Sequence, residues 1–185
     1  ISLKAKDITL ISLFAALTSI GAFISIPLGP VPLTLQTLFV LVSGYVLGAR
    51  KAAFSQLIYI SLGLIGLPIF AGFSGGIQSI VKPSFGFLIG FVAGAYTVGI
   101  LSRKAKGFFS YLAACAAGTL VIYLFGLPYM AFILNYVMDS GLSLEKILSI
   151  GVIAFIPGDL IKLIIAAYLG KRLNISVLSS DRDLS

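Results

Sequence analysis

Two charged residues stand three positions apart in an otherwise apolar stretch near the end of the chain. Asp159 and Lys162 are surrounded mainly by isoleucine, leucine and alanine, and a charge buried among such residues is costly unless it is paired. The i, i+3 spacing places both side chains on one face of a helix. Two interpretations follow: a mutual ion pair inside a helix bundle, or a polar site that binds a ligand.

Pro157 and Gly158, which directly precede the acid, favour the second interpretation. Proline leaves the carbonyl of Ile153 without its helical partner and bends the helix, and glycine leaves space beside Asp159. Bent helices that carry charge and glycine are typical of substrate sites in transporters.

Other kinds of chemistry lack the residues that they need. The chain has no histidine, which is the commonest general base and metal ligand, and its one cysteine, Cys115, has no disulfide partner. It also lacks the G-x-x-x-x-G-K-[ST] loop that binds the phosphates of ATP. We therefore expect no catalytic site, no metal and no cofactor, and a packing role for Cys115.

The composition indicates an integral membrane protein. Of 185 residues, 59% are hydrophobic and 10% are charged, and the mean hydropathy is +1.12. A soluble domain of this size cannot bury so much apolar surface. We expect one membrane domain over residues 1–185, with no soluble domain and no nucleic-acid partner, because the basic residues are dispersed.

Continuous apolar runs of the length that a bilayer requires predict an all-α fold with six transmembrane helices and irregular, partly buried outer loops. The first run is too long for the apolar region of a signal peptide. The predicted spans are Ile8–Ser25, Leu35–Leu47, Ala52–Leu67, Phe85–Leu101, Phe108–Phe125 and Leu148–Leu169.

Basic residues predict the orientation of these helices. Ten of the thirteen lysines and arginines fall on one side of the predicted bundle, so both termini are expected on the cytoplasmic side of a cell membrane. These ten are Lys4, Lys6, Arg50, Lys51, Arg103, Lys104, Lys106, Lys171, Arg172 and Arg182.

The first outer connection, residues 26–36, carries three prolines in six residues, which forbid a regular helix. The residues between the prolines are apolar, and non-helical backbone at membrane depth is tolerated where it is buried in protein or lines a cavity. The segment either dips inward and lines a site that includes Thr34 and Gln36, or forms a stiff turn at the lipid headgroups.

The second outer connection, residues 66–83, is rich in glycine and is also apolar. These properties predict a mobile lid over an outward-facing pocket, and the alternative is a flexible surface loop. A third outer segment, Leu127–Leu144, contributes further polar candidates. The candidate pocket residues of these two segments are Phe70, Phe73, Gln78, Lys82, Asn135 and Tyr136.

Small residues recur at helical spacing in two of the predicted spans, which lets helices pack closely. Gly86, Gly90 and Gly94 follow one another at four-residue intervals, and we expect them to pack inside the bundle. Ala15 and Ser19 in the first span are expected either to pack internally or to contact a partner.

Four segments, in the same order, resemble the motifs of BioY, the family of biotin-binding S components of energy-coupling factor (ECF) transporters. The first and last are the most specific. They are PLGPVPLTLQTLF at 27–39, GLPIFAG at 66–72, PSFGFLIGF at 83–91 and PGDLIK at 157–162. One departure is that the family commonly has Gly-Pro-Thr-Gly-Gly-Tyr at residues 82–87, which read Lys-Pro-Ser-Phe-Gly-Phe here.

The resemblance implies a six-helix bundle in a prokaryotic cell membrane that binds biotin from the outside. It implies as partners a transmembrane coupling (T) protein and two ATP-binding-cassette ATPases, which hydrolyse the ATP. It further implies docking to these subunits through small residues of the first helix, which here are Ala15 and Ser19.

The chemistry of biotin is compatible with the candidate residues. The ureido N–H groups need acceptors, and Asp159, Asn135 and Gln36 can supply them. The carboxylate needs a cation, which is either Lys162 or Lys82. The alternatives are an S component for another vitamin and a small channel, which would require polar rings along a pore. The motif of the first outer connection favours biotin.

Overall fold

A computed structural model describes the backbone of residues 4–182 and the side chains of residues 4–173, so the side chain of Arg182 lies outside it. Helices dominate because a chain in an apolar medium must satisfy its backbone hydrogen bonds internally. The helices are α1 (Ala5–Phe23), α2 (Gln36–Leu47), α3 (Ala49–Ile65), α4 (Phe85–Leu101), α5 (Phe108–Phe132), α6 (Leu144–Leu148) and α7 (Ile156–Arg182). Short 3₁₀ turns cover Ile77–Val81 and Ser102–Lys104, and π turns cover Ile133–Val137 and Ser149–Ile153.

Four helical stretches of the described residues are long and apolar enough to cross a bilayer. The prediction of apolar membrane helices is confirmed for these four, whereas α2, with 12 residues, is shorter. The count of six spans therefore stays a prediction. The four stretches are Ala5–Phe23, Phe85–Lys104, Phe108–Val137 and Leu144–Leu173.

The first outer connection folds back towards the bundle as a small hairpin. Strand β1 (Ser25–Ile26) pairs antiparallel with β2 (Leu33–Thr34), with Ser25 opposite Thr34. Val31 and Thr34 are buried. Of the two alternatives for this proline-rich segment, the structure therefore has the inward dip, because its apolar residues pack on the helices.

Several helix boundaries differ from the predicted ones, and two of these differences bear on the site. Helix α5 continues through Pro128 to Phe132 and into a π turn, whereas the predicted span ended at Phe125. Helix α7 begins at Ile156, so Pro157 lies in its first turn, where the missing N–H costs no hydrogen bond. The predicted bend is thus a break between Ser149–Ile153 and α7, and not a kink within a continuous helix.

Glycines of α4 pack against α5, as expected. A Cβ atom added at Gly90 would lie 2.9 Å from the Cα of Ile122, and one at Gly94 would lie 2.6 Å from Cγ1 of the same residue. Side chains at these positions would push the two helices apart, so the spacing of the glycines serves internal packing. Cys115 is buried and free, which agrees with a packing role.

Ala15 lies in the core and not on the exposed face of α1. It is 4% exposed and packs in a cluster with Val40 and Ala52. Ser19 is half-buried, and its hydroxyl donates a hydrogen bond to the backbone carbonyl of Ala15 (3.0 Å). Of the two expectations for this pair, internal packing therefore describes Ala15, whereas a partner contact of Ser19 stays a prediction. Ala16 is a small residue that α1 exposes beside them.

The two ends of the bundle are built differently. At one end, the connections are the single residue Gly48 and a short basic turn, and Lys51 of α3 pairs with Asp7 of α1 (2.5 Å). At the other end lie the hairpin, the glycine-rich segment and the start of α7. The longer connections provide the walls of a cavity.

Candidate functional site

A cavity of about 260 Å³ lies where the first two outer connections meet α4, α5 and α7. A mostly apolar wall with a few convergent polar groups is the usual form of a small-molecule site. The aromatic walls are Phe70, Phe85, Phe87, Phe91 and Phe155. The polar groups on the walls are Thr34, Gln36, Thr37, Ser74, Ser79, Lys82, Ser84, Thr119, Tyr123, Asp159 and Lys162.

The ion pair expected from the i, i+3 spacing is present, and it forms part of the cavity wall. The Nζ atom of Lys162 lies 2.6 Å from Oδ1 of Asp159 and donates to the backbone carbonyl of Thr34 (3.2 Å). The hydroxyl of Tyr123 donates a hydrogen bond to the second carboxylate oxygen of Asp159. Because an ionised carboxylate has about four acceptor positions, Asp159 can still accept hydrogen bonds from a ligand.

A chain of buried hydrogen bonds connects the hairpin to the glycine-rich segment. Thr34 donates from Oγ1 to Oε1 of Gln36 (3.0 Å), and Gln36 donates from Nε2 to the hydroxyl of Tyr59 (2.7 Å). Tyr59 in turn donates to the carbonyl of Ile69 (3.1 Å). The amide of Gln36 is therefore held in one orientation at the cavity wall.

Lys82 lies at the exposed rim of the cavity, directly after the 3₁₀ turn Ile77–Val81 and before the buried Pro83. Its ammonium makes no ion pair with any residue whose side chain the structure describes. By contrast, the ammonium of Lys162 is buried and already opposes Asp159. Lys82 is thus the cation with capacity for an anionic group.

Six of the ten predicted ligand-binding residues come together around the cavity, and four lie outside it. The six are Thr34, Gln36, Phe70, Lys82, Asp159 and Lys162, and the four are Phe73, Gln78, Asn135 and Tyr136.

Phe73 and Gln78 point away from the cavity because the glycine-rich segment turns sharply. Phe73 adopts a left-handed backbone conformation (φ 53°), is 67% exposed and stacks on Phe23 with ring centroids 4.6 Å apart. Gln78 is exposed and donates to the carbonyl of Gly75 (2.6 Å). Only Phe70 of the two predicted covering aromatics faces inward.

Asn135 and Tyr136 were expected to face the pocket, but the extension of α5 places them beyond it. Asn135 donates to the carbonyl of Leu142 (3.0 Å) and accepts from the N–H of the same residue (2.8 Å), so its amide closes the connection to α6. Tyr136 is 81% exposed and stacks on Phe132.

Sequence reasoning missed several wall residues of α5 and of the 3₁₀ turn. Thr119 and Tyr123 stand at i, i+4 in an apolar span, a polar pair on one helix face that could have been recognised. The hydroxyls of Ser79 and Thr119 are buried at the cavity and find no hydrogen-bond partner among the described residues. Buried polar groups are normally satisfied, so these two are available to a ligand.

Comparisons with known proteins agree with this architecture. A family model described as the BioY family matches residues 1–178. The biotin transporter BioY of Thermotoga maritima is 45% identical over 161 residues, which cover 87% of this chain and 91% of the relative. The probable biotin transporter BioY of Pyrococcus horikoshii is 42% identical over 171 residues, with coverages of 92% and 98%.

The fold is also that of a solved transporter component. The S-component for biotin from an ECF-type ABC transporter matches with a TM-score of 0.81 at 28% identity, over 94% of this chain and 95% of that one. These relatives are transporter components, which confirms the expectation that the chain is not an enzyme, and the several apolar helices make it a multi-pass membrane protein. The extent of these matches shows that the chain belongs to the BioY family.

Proposed function

We propose that this chain is the biotin-binding S component of a vitamin uptake transporter. It captures biotin from the outside and delivers it inward together with an ATP-driven ECF module, which consists of a T protein and two ATPases. The observation that carries this proposal is the Asp159–Lys162 pair in the wall of an otherwise largely apolar cavity, in a chain whose relatives are named biotin transporters.

The cavity offers a complementary group for each part of biotin. The aromatic wall residues cover the apolar bicycle, whose burial contributes about 25 cal/mol per Å² of apolar surface. Asp159 accepts hydrogen bonds from the ureido N–H groups, and Gln36 and Thr34 stand beside it. Lys82 pairs with the carboxylate at the rim, because Lys162 is already neutralised.

The proposed topology has six crossings with both termini on the cytoplasmic side. Helix α2 has 12 residues and extends about 18 Å, so the apolar hairpin that precedes it completes its crossing. Helix α3 has 17 residues and follows after one glycine. The basic turns at the end opposite the cavity support this orientation, and the cavity then opens to the outside.

Isothermal titration of the purified, ligand-stripped protein in detergent tests the proposal. The protein has no tryptophan, so a calorimetric signal replaces tryptophan quenching. We expect saturable one-to-one binding of biotin and none of thiamine or riboflavin, which serve as controls. Protein that is shown to be folded but binds no biotin would contradict the proposal, and binding of a control vitamin instead would reassign the substrate.

A further inference from the structure

We infer that Tyr59 is a positioning residue that ties the cover of the cavity to the ligand-binding groups of the first outer connection. The cover is defined here as residues 66–76, which join the end of α3 to the 3₁₀ turn. This inference rests on the proposed function, since it concerns how the cavity retains biotin.

The cover is a compact turn between two glycines. Phe70, Ala71 and Ser74 line the cavity, and Phe70 and Ser74 exchange two backbone hydrogen bonds (2.9 and 3.3 Å). Gly66 and Gly76 have φ values of 121° and 88°, which L side chains rarely adopt. The N–H groups of Leu67 and Gly76 donate to the carbonyls of Leu62 and Gly63 (3.2 and 2.7 Å) and hold both ends of the turn to α3. The restraint of its tip must therefore come from side chains.

Tyr59 provides that restraint from the middle of α3. Its side chain is fully buried, its hydroxyl donates to the carbonyl of Ile69 (3.1 Å), and its ring meets the ring of Phe70 edge-on at 5.5 Å. Gly63, one turn further on, has no side chain, and the ring of Phe70 occupies the space where one would lie. Tyr59 thus anchors the inner side of the cover by one hydroxyl and one aromatic contact, while Phe73 stacks on Phe23 at its outer side.

The same hydroxyl reaches the ligand-binding groups. It accepts a hydrogen bond from Gln36, which accepts one from Thr34, whose backbone carbonyl accepts one from Lys162. A ligand that contacts Gln36 or the Asp159–Lys162 pair therefore stabilises the closed cover, and a closed cover stabilises the ligand, because coupling between two sites is reciprocal. Tyr59 is expected to slow the release of biotin without touching it.

The experiment compares Tyr59→Phe with Tyr45→Phe. Each substitution removes a hydroxyl that donates to a backbone carbonyl of another segment, Ile69 for Tyr59 and Ala166 for Tyr45 (3.0 Å). Tyr45 also packs edge-on against an aromatic ring, that of Tyr111 at 5.6 Å, and it does not line the cavity. The pair is therefore matched in chemistry and differs in location.

Two readouts separate positioning from a general structural role. We expect Tyr59→Phe to accelerate dissociation of radiolabelled biotin about three- to tenfold, since a hydrogen bond contributes about 0.5–1.5 kcal/mol. We also expect faster amide hydrogen exchange at Phe70 and Ser74 in the ligand-free protein. Tyr45→Phe should change neither the dissociation rate of biotin nor the exchange at Phe70 and Ser74, even if its melting temperature falls as much as that of Tyr59→Phe.

Dissociation from Tyr59→Phe at the rate of Tyr45→Phe would overturn the inference, as would unchanged exchange at Phe70 and Ser74. The exchange measurement needs no ligand. If the unsubstituted protein bound no biotin, the proposed function would fail, while the restraint of the cover by Tyr59 would still be decided by exchange.

Discussion

Asp159 and Lys162 form an ion pair, with 2.6 Å between Oδ1 and Nζ, on the face of α7 that borders the cavity. An ion pair and a ligand site are therefore not alternatives here. Pairing lowers the cost of burying each charge, and the carboxylate retains acceptor positions beyond those used by Lys162 and Tyr123. The pair can bind a neutral polar group without adding net charge to the membrane interior.

Substitution Asp159→Asn tests whether the carboxylate contacts biotin. It removes the charged acceptor, and we expect affinity in calorimetry to fall about 10- to 100-fold, since hydrogen bonds to charged groups contribute about 1.5–3 kcal/mol. The matched control is Asp7→Asn, which breaks the Asp7–Lys51 ion pair (2.5 Å) at the other end of the bundle.

The control should change the affinity by no more than about twofold, as for other substitutions remote from a site. If folded Asp159→Asn bound biotin as tightly as Asp7→Asn, the pair on α7 would be purely structural.

Substitution Lys82→Met tests the partner of the carboxylate. We expect the affinity for biotin to fall about two- to fivefold, because exposed ion pairs contribute about 0.2–1 kcal/mol, and the affinity for biotin methyl ester to stay unchanged. The loss should shrink at high salt, which screens exposed charges. Lys146→Met is the control, since this exposed lysine of α6 does not line the cavity.

The comparison of acid and ester also identifies the alternative partner. If Lys82→Met weakened both ligands equally while Lys162→Met discriminated between them, the carboxylate would lie at Lys162 in the interior.

Substitution Ala16→Trp tests the docking face of α1. Ala16 is exposed, so a larger side chain fits the isolated protein but obstructs a flat contact with the T protein. We expect ATP-driven biotin uptake by proteoliposomes with the complete ECF module to be lost, while biotin binding in detergent persists. Ala15→Trp, at a position 4% exposed, should instead lose folded protein. Full uptake by Ala16→Trp would move the docking contact to another face.

Substitution Gly90→Ala tests the contact between α4 and α5. The added Cβ would lie 2.7 Å from the carbonyl oxygen of Ile122, and we expect about 1–3 kcal/mol of destabilisation from overpacking. The measurement is thermal unfolding in detergent. Gly107→Ala is the control, because its backbone is extended and no atom lies within 4 Å of the added carbon. Equal melting temperatures for both variants would contradict close packing at Gly90.

Part of the site could be predicted from local pattern because the responsible interactions are local. Asp159 and Lys162 lie one helical turn apart, so their pairing follows from helix geometry. The prolines of the first outer connection exclude a regular helix there, wherever that segment lies in the fold. The predicted span Phe85–Leu101 coincides with α4 for the same reason: a long apolar run flanked by polar residues has one stable local form.

Side chains in irregular segments could not be assigned in this way. Phe70 faces the cavity and Phe73 faces outward because of backbone angles in a tight turn, which no periodicity reports. Pro128 was expected in the third outer segment, Leu127–Leu144, yet α5 continues past it and carries Asn135 to the backbone of Leu142. Such outcomes depend on the packing of neighbouring segments.

The amino-acid sequence by itself determined the membrane class, the apolar helices and the charged pair on the last helix, since composition and short-range spacing set these properties. The family followed from the resemblance of four segments to known motifs. Only the tertiary structure decided which groups share the cavity. Tyr123 contacts Asp159, which lies 36 positions away in the sequence. Tyr59 binds Gln36, 23 positions away, and Ile69, 10 positions away. These contacts arise from how separate helices pack against each other, and side-chain complementarity between distant segments leaves no pattern in a single sequence.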